Sequence, residues 1–231
     1  MKTLLIIIYS FGIPSDFSFA KGATPKAKPT NSDSSGARSN RKFGVGIRGG
    51  NFAGGFYGAG LEGQFLLNKN FQFAANYYSG SRVVSESEVH ANYVLDKLEP
   101  RVTLATALSR YYFGNSFFGG LGIGYRTANG EIGAHGTGSD NITISINTRT
   151  LLIIPSVGNC WTWDSGFYIG ADWIGYGFPI SSAYGVTTDY QGNSFTQEDV
   201  DDLQLKMEKA SEKIANAGNG QWLLINLGFL F

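Results

Sequence analysis

At 231 residues the chain has the length of one domain with appendages. Its 18 Lys and Arg balance 18 Asp and Glu, so no net field steers nucleic acid toward it, and none is expected as a partner. Charged residues are 16% of the chain where soluble domains carry ~25%, while 32 Gly and 14% aromatics suit many short strands with close backbone approaches, in a soluble sandwich or a membrane barrel alike.

Met1-Lys2 and the apolar run Leu4 to Phe11 read as the charged start and core of a signal peptide, with Ser18-Phe19-Ala20 supplying small residues for cleavage after Ala20. Residues 1–20 are therefore expected to direct export. The run is too short for a transmembrane helix, and no other segment approaches the ~20 apolar residues such a helix needs. The lone Cys160 makes no internal disulfide. Residues 21–42 hold Lys21, Lys26, Lys28, Arg38, Arg41 and Lys42 against Asp33, with no large apolar side chain. Such a stretch buries too little to offset its ordering entropy, so it reads as a disordered basic linker. It is either simply solvated or a weak tether to anionic envelope polymer or headgroups.

From Phe43 the pattern becomes a period of two, which marks strands whose faces meet different surroundings. Phe43, Val45 and Ile47 oppose Gly44, Gly46 and Arg48; Tyr57, Ala59, Leu61 and Phe65 oppose Gly58, Gly60, Glu62 and Gln64. Asn68-Lys69-Asn70 is a tight turn, after which Phe71, Phe73, Ala75 and Tyr77 oppose Gln72, Ala74 and Asn76. A polar piece, Ser79 to Pro100, precedes a fourth strand, Arg101 to Phe113, with Val102, Leu104 and Leu108 expected outward. Beyond the turn Gly114-Asn115-Ser116, Phe117, Leu121, Ile123 and Tyr125 oppose Phe118, Gly120, Gly122, Gly124 and Arg126. Thr127 to about Asn147 reads as a second polar connection. The sixth strand, Thr148 to Trp161, contains Pro155, which normally marks an edge or a bulge. After the turn Trp163-Asp164-Ser165, Phe167, Ile169, Ala171 and Trp173 oppose Tyr168, Gly170, Asp172 and Ile174. Gly177 to Gln221 reads as the longest connection. The eighth strand puts Leu223, Ile225, Leu227, Phe229 and Phe231 on one apolar row.

Short turns alternate with long connections, and the apolar rows are expected to face out. Within residues 43–231 this predicts an all-β fold: an eight-stranded antiparallel up-and-down transmembrane β-barrel, its apolar exterior in lipid and both ends on the short-turn side. Aromatics cluster by depth. Phe71, Phe73, Tyr111, Tyr112, Phe113, Phe117, Trp161, Trp163, Phe167, Phe229 and Phe231 lie near the short turns, and Tyr57, Tyr77, Tyr125, Trp173 and Tyr176 near the loop ends, as two interfacial girdles would.

A signal peptide, eight alternating strands and a terminal Phe together resemble the small outer-membrane barrels of the OmpA, OmpX and OmpW type. The resemblance implies the outer membrane of a Gram-negative-type envelope, outer-membrane lipid around the barrel, periplasmic termini, and an insertion signal at Phe229 and Phe231 read by the barrel-assembly machinery.

The inward rows carry Arg48, Glu62, Gln64, Gln72, Asn76, Arg126, Asp172 and Asn226. Arg48 and Glu62 flank the first hairpin almost symmetrically, and Glu62 and Asp172 lie at similar depth, so pairing is expected, since unpaired buried charges are costly. Two readings follow: an ion-paired plug in a structural or surface-interaction protein, or a narrow OmpW-like conduit for small molecules, given room by the inward glycines. No enzyme is expected. His90 and His135 fall in different long connections without a nucleophile and acid beside them, and two His with one Cys make no metal site; no cofactor is implied.

One helix interrupts the last connection. Thr196 can cap it, acids crowd its start, Lys206, Lys209 and Lys213 follow, and Gly218 ends it, giving about 197–217. Val200, Leu203, Met207, Ala210 and Ile214 form one amphipathic stripe. The stripe rests either on the barrel's rim and loops or on an extracellular or envelope protein partner or the outer-leaflet surface. An eight-stranded barrel is expected to have no space for it inside.

Overall fold

The computed structural model describes residues 34–51, 57–81, 88–89, 93–95, 100–136, 141–191 and 196–231. The expected signal peptide and the linker as far as residue 33 lie outside them. The elements are α1 (Ser34–Ser39), β1 (Phe43–Asn51), β2 (Tyr57–Asn68), β3 (Phe71–Ser81), β4 (Glu88–Val89), β5 (Tyr93–Leu95), β6 (Arg101–Tyr112), β7 (Phe117–Gly136), β8 (Asn141–Thr162), β9 (Phe167–Gln191), α2 (Gln197–Asn216) and β10 (Asn219–Leu230).

Eight long strands pair antiparallel with their chain neighbours, and β1 closes the ring on β10 through Gly44↔Leu230 to Arg48↔Asn226. The closed ring leaves no sheet edge along the barrel. The side chains of Asn68 and Ser165 and the glycines at the turns shape the short connections. Asn68 Oδ1 accepts from the N–H groups of Asn70 and Phe71, both at 2.9 Å. Gly114 and Gly166 take φ of 84° and 90°, a region costly for any residue with a Cβ.

Alternation sorts the side chains, but in two opposite senses along the longest strands. On β8 the outward residues Leu151, Ile153, Val157 and Trp161 are exposed apolar groups, while above them Asn141, Thr143, Asn147 and Arg149 face out and Ile142, Ile144 and Ile146 are buried. The change recurs in register: Tyr125 pairs Leu151 and Ala105, whereas one step up Thr127 pairs Arg149 and Thr103. The apolar belt on β8 spans Leu151 to Trp161, about the 9–11 residues a tilted strand needs to cross a bilayer.

Two bulges keep the belt facing out. Ile174 pairs Val157 and Asp172 pairs Gly158, which leaves Trp173 unpaired on that side; Leu223 is skipped opposite it, with φ 49°. Trp173 with Ile174, and Trp222 with Leu223, are therefore exposed neighbours, and the strict alternation expected through Trp222 is broken there. Pro155 pairs with Leu121 on β7, and the β8–β9 ladder passes from Ile153 to Ser156; its missing donor falls where that ladder is interrupted.

Three expectations change. The pieces read as polar connections after Tyr125 and Gly177 are largely strand: β7, β8 and β9 run 20, 22 and 25 residues, and β5 pairs with the top of β7. They form a wall above one side of the barrel. On β6, Val102, Leu104 and Leu108 are buried, and Ala105, Ala107 and Tyr111 face out, the reverse of the expected phase. Within the stretch read as a disordered linker, Ser34–Ser39 is helical, and Ser34, Ala37 and Arg38 are buried. Partners on the barrel's short turns, which no local pattern encodes, supply the order.

Candidate functional site

The lumen centres on four charges. Arg48 on β1 and Arg110 on β6 face Glu62 on β2 and Asp172 on β9. Arg48 Nη1 lies 3.1 Å from Glu62 Oε2, an ion pair without hydrogen-bond alignment, and its Nη2 donates to Asp172 Oδ2. Arg110 Nη2 donates to Glu62 Oε2 at 3.0 Å and to Asp172 Oδ2 at 3.4 Å. Each guanidinium thus meets both carboxylates, and all four side chains are at most 2% exposed. Two positive and two negative buried charges cancel and are mutually paired, the condition under which buried ions are tolerated.

Neutral polar groups extend this network toward the short turns. Gln64 donates to Glu62 and accepts from Gln72 at 2.5 Å; Gln72 in turn accepts from Tyr112 at 2.8 Å. Tyr168 donates to Glu62 at 3.2 Å. Below lie Leu66, Tyr112, Phe118, Cys160, Tyr168 and Leu230, one buried cluster, with the Arg110 guanidinium 4.9 Å from the Phe118 ring centre. Toward the long-loop end, Tyr78, Leu104, Leu108, Leu152, Ile154 and Leu224 make an apolar layer, and Arg48 lies 5.6 Å over the Tyr78 ring.

Of the residues expected in the network, Arg48, Glu62, Gln64, Gln72 and Asp172 are brought together. Asn76 donates instead to Thr106 at 2.9 Å. Asn226 is buried beside Gly170 and makes no hydrogen bond to the four charges among the described residues. Arg126 lies elsewhere: its Nη2 donates to the carbonyls of Ile214, Ala217 and Ala215 at 2.8, 3.1 and 3.2 Å. Arg110 and Tyr112 were not expected there. Counting back from the turn Gly114-Asn115-Ser116 reveals them, because Phe118 faces in and pairs with Tyr112; Arg110, Leu108, Leu104 and Val102 then share its face.

The inward glycines do not leave open space. A Cβ at Gly170 would strike the Asn226 side chain, and one at Gly46 or Gly228 would strike the Tyr168 ring that lies between them. Gly here admits a large side chain from a neighbouring strand, since Asn226 is the register partner of Gly170 and Tyr168 that of Gly228.

α2 stands against the inner face of the wall. Leu203 is buried with Ile132, Ile142 and Ile144, flanked by Val186, Tyr190, Val200 and Met207. Ala210 is half-buried, and Ile214 packs on the apolar layer of the lumen. The stripe therefore lies on the chain's own wall above the barrel, and its lower end reaches the lumen mouth. The carbonyls that a helix leaves unpaired at its C-terminus are met by the Arg126 cation and by Thr150, whose hydroxyl donates to Ala215 at 2.9 Å.

Outward, the lower aromatics form contacts around the rim: Phe43–Phe65, Phe71–Phe73, Tyr111–Phe113, Trp163–Phe167 and Phe167–Phe229 have ring centres 5.0 to 5.5 Å apart. Tyr112, expected in this band, is the exception and faces in. Phe229 and Phe231 are exposed, and the Phe231 carbonyl accepts from the N–H groups of Lys42 and Phe43, both at 3.1 Å. The side chains of His90 and His135 lie outside the described residues. No group of three or more His, Cys, Asp or Glu able to hold a metal occurs among the described residues.

No family model and no curated protein matches the chain. Among solved structures, Acinetobacter baumannii CarO is similar at 11% identity and a TM-score of 0.44 over 84% of this chain and 99% of that one, and Acinetobacter baumannii CarO2 at 13% and 0.44 over 83% and 100%. The barrel architecture rests on this chain's own strand pairing.

Proposed function

We propose that this chain is an integral outer-membrane barrel, exported by its first 20 residues and carrying its termini on the periplasmic side. Its lumen is a sealed structural core, and its work is surface interaction through the wall and α2 above the membrane, without catalysis. The belt that ends at Tyr125 and Leu151 supports the membrane setting, because exposed apolar rows on a closed barrel suit acyl chains and not water. Phe229 and Phe231 suit the barrel-assembly machinery as its terminal signal.

The observation that carries the sealed reading is the buried quartet of Arg48, Glu62, Arg110 and Asp172, packed between a tyrosine-rich layer and an apolar one. A conduit of the OmpW kind would need space that the inward glycines do not leave. The wall offers a surface instead. Among the described residues β9 pairs with β10 only as far as Gly177, so from Phe178 to Asp189 it is laddered on its β8 side alone. Free N–H and C=O groups along an edge suit an extended segment of an extracellular or envelope protein. Planar-bilayer recording of the full chain tests the seal: no unitary conductance is expected, and steps that change with Glu62→Gln would overturn it.

A further inference from the structure

Residues 34–41 touch every short turn of the barrel. Ser35 N–H donates to Asn115 Oδ1 at 3.0 Å, in the β6–β7 turn. Arg38 Nε donates to the Lys69 carbonyl at 3.1 Å, in the β2–β3 turn. Ser34 Oγ accepts from Thr162 N–H at 3.0 Å at the end of β8, and Arg41 donates to the Asp164 carbonyl in the β8–β9 turn. Arg38 is 1% exposed, with its guanidinium carbon 3.9 Å from the centre of the Tyr112 ring, which faces the lumen. Arg41 also donates to Ala37 O at 2.8 Å, closing the segment on itself. Directly after it, Lys42 and Phe43 bond the Phe231 carbonyl, and Leu66 N–H donates to Lys42 O at 2.8 Å, so the segment is continuous with the seam between β1 and β10.

Three properties follow from this placement. Six helical residues are too few to be stable alone, so α1 orders only by docking. Its partners lie 31 to 128 residues away in the chain, and all three turns come together only when the ring is closed. Its docking site therefore does not exist before closure. Once docked, α1 ties the hairpins β2–β3, β6–β7 and β8–β9 to the segment that enters β1, and none of them can leave without breaking it.

We propose that residues 34–41 are a clasp that engages after the barrel has closed and locks the short-turn mouth and the β1–β10 seam against reopening. Arg38 is its peg, seated on Tyr112, and Arg41 is its tie to the last short turn. An interaction made after the rate-limiting step slows unfolding and leaves folding nearly unchanged.

Folding and unfolding kinetics of the full chain in detergent micelles and urea test this. Arg38→Ala with Arg41→Ala should speed unfolding by about tenfold or more and change the folding rate by less than about twofold. Slower folding with unchanged unfolding, or no change in either rate, would overturn the clasp. Should that variant fail to fold, a second arm decides. Ser35→Cys with Asn115→Cys, in a Cys160→Ala background, should form a disulfide in the folded barrel and slow unfolding by about tenfold or more until reductant is added. Absence of the cross-link in the folded protein, or a cross-link without effect on unfolding, would overturn the proposal.

Discussion

The lower and upper halves of β8 follow the same alternation with opposite meaning. Below Arg149 the strand is largely apolar outside, with Ser156 and Cys160 among its inward groups; from Arg149 upward, Arg, Asn and Thr face out and three Ile face in. The lower half obeys the rule of a barrel in lipid, the upper half that of a wall in water with a helix on its inner face. The two halves also use arginine differently. Arg110 sits in a neutral set of four charges, whereas Arg126, on the next strand, spends its guanidinium on the carbonyl end of α2. Periodicity alone thus reports a strand, and only the sense of the alternation reports its solvent.

The largest expected effect breaks the lower half from within. Asp172→Ala leaves two guanidinium groups sharing one carboxylate, and a loss of about 3–5 kcal/mol is expected in urea unfolding from detergent. Replacing all four charges with apolar residues of similar volume should cost much less, which would show that the set specifies the core more than it stabilises it. Next, an arginine on the outer face should distinguish the halves directly. Val157→Arg, near the middle of the belt, is expected to cost about 2–4 kcal/mol in lipid, and Thr143→Arg close to nothing, by equilibrium unfolding in bilayers. Third, Arg126→Ala should leave the belt intact while loosening α2, at about 1.5–3 kcal/mol for lost charged hydrogen bonds, read as faster amide exchange and protease cleavage near Lys206 and Lys209. Smallest of all, Lys206→Ala removes an exposed pair with Asp202, 2.7 Å apart and more than half exposed on both sides; a change within about 0.5 kcal/mol is expected.

The lower half was legible because its outward rows are long and apolar and its turns carry Asn, Gly and Asp. The phase of β6 was not, because its inward row, with Val102, Leu104 and Leu108, feeds an apolar layer of the lumen, while between Arg101 and Tyr111 its outward row holds only Thr103, Ala105, Ala107 and Ser109. A rule that sends oily residues to lipid fails on a strand whose lumen face is oilier than its outer one, and Arg110 was lost with it. The wall was legible in part: Ile142, Ile144 and Ile146 alternate with Thr and Ser as a half-buried strand does, but the surrounding polar residues read as a connection. Arg126 could be placed on the inward face but not assigned a partner, because Ile214 and Ala215 lie 88 and 89 residues away. The pieces of α2 were readable at both ends, since Thr196 and the stripe from Val200 to Ile214 are local signals. α1 had no such signal; Ser-Ser-Gly-Ala-Arg-Ser becomes a helix only against turns that the closed ring assembles.

The boundary between the two halves of β8 is the central claim, and site-directed spin labelling measures it directly. Labels placed one at a time at Thr143, Asn147, Arg149, Leu151, Ile153 and Val157 in bilayers should be reached by a water-soluble nickel chelate at the first three and by dissolved oxygen at the last three. Uniform access of the chelate along the whole row would contradict the account, because it would place the exposed apolar belt in water.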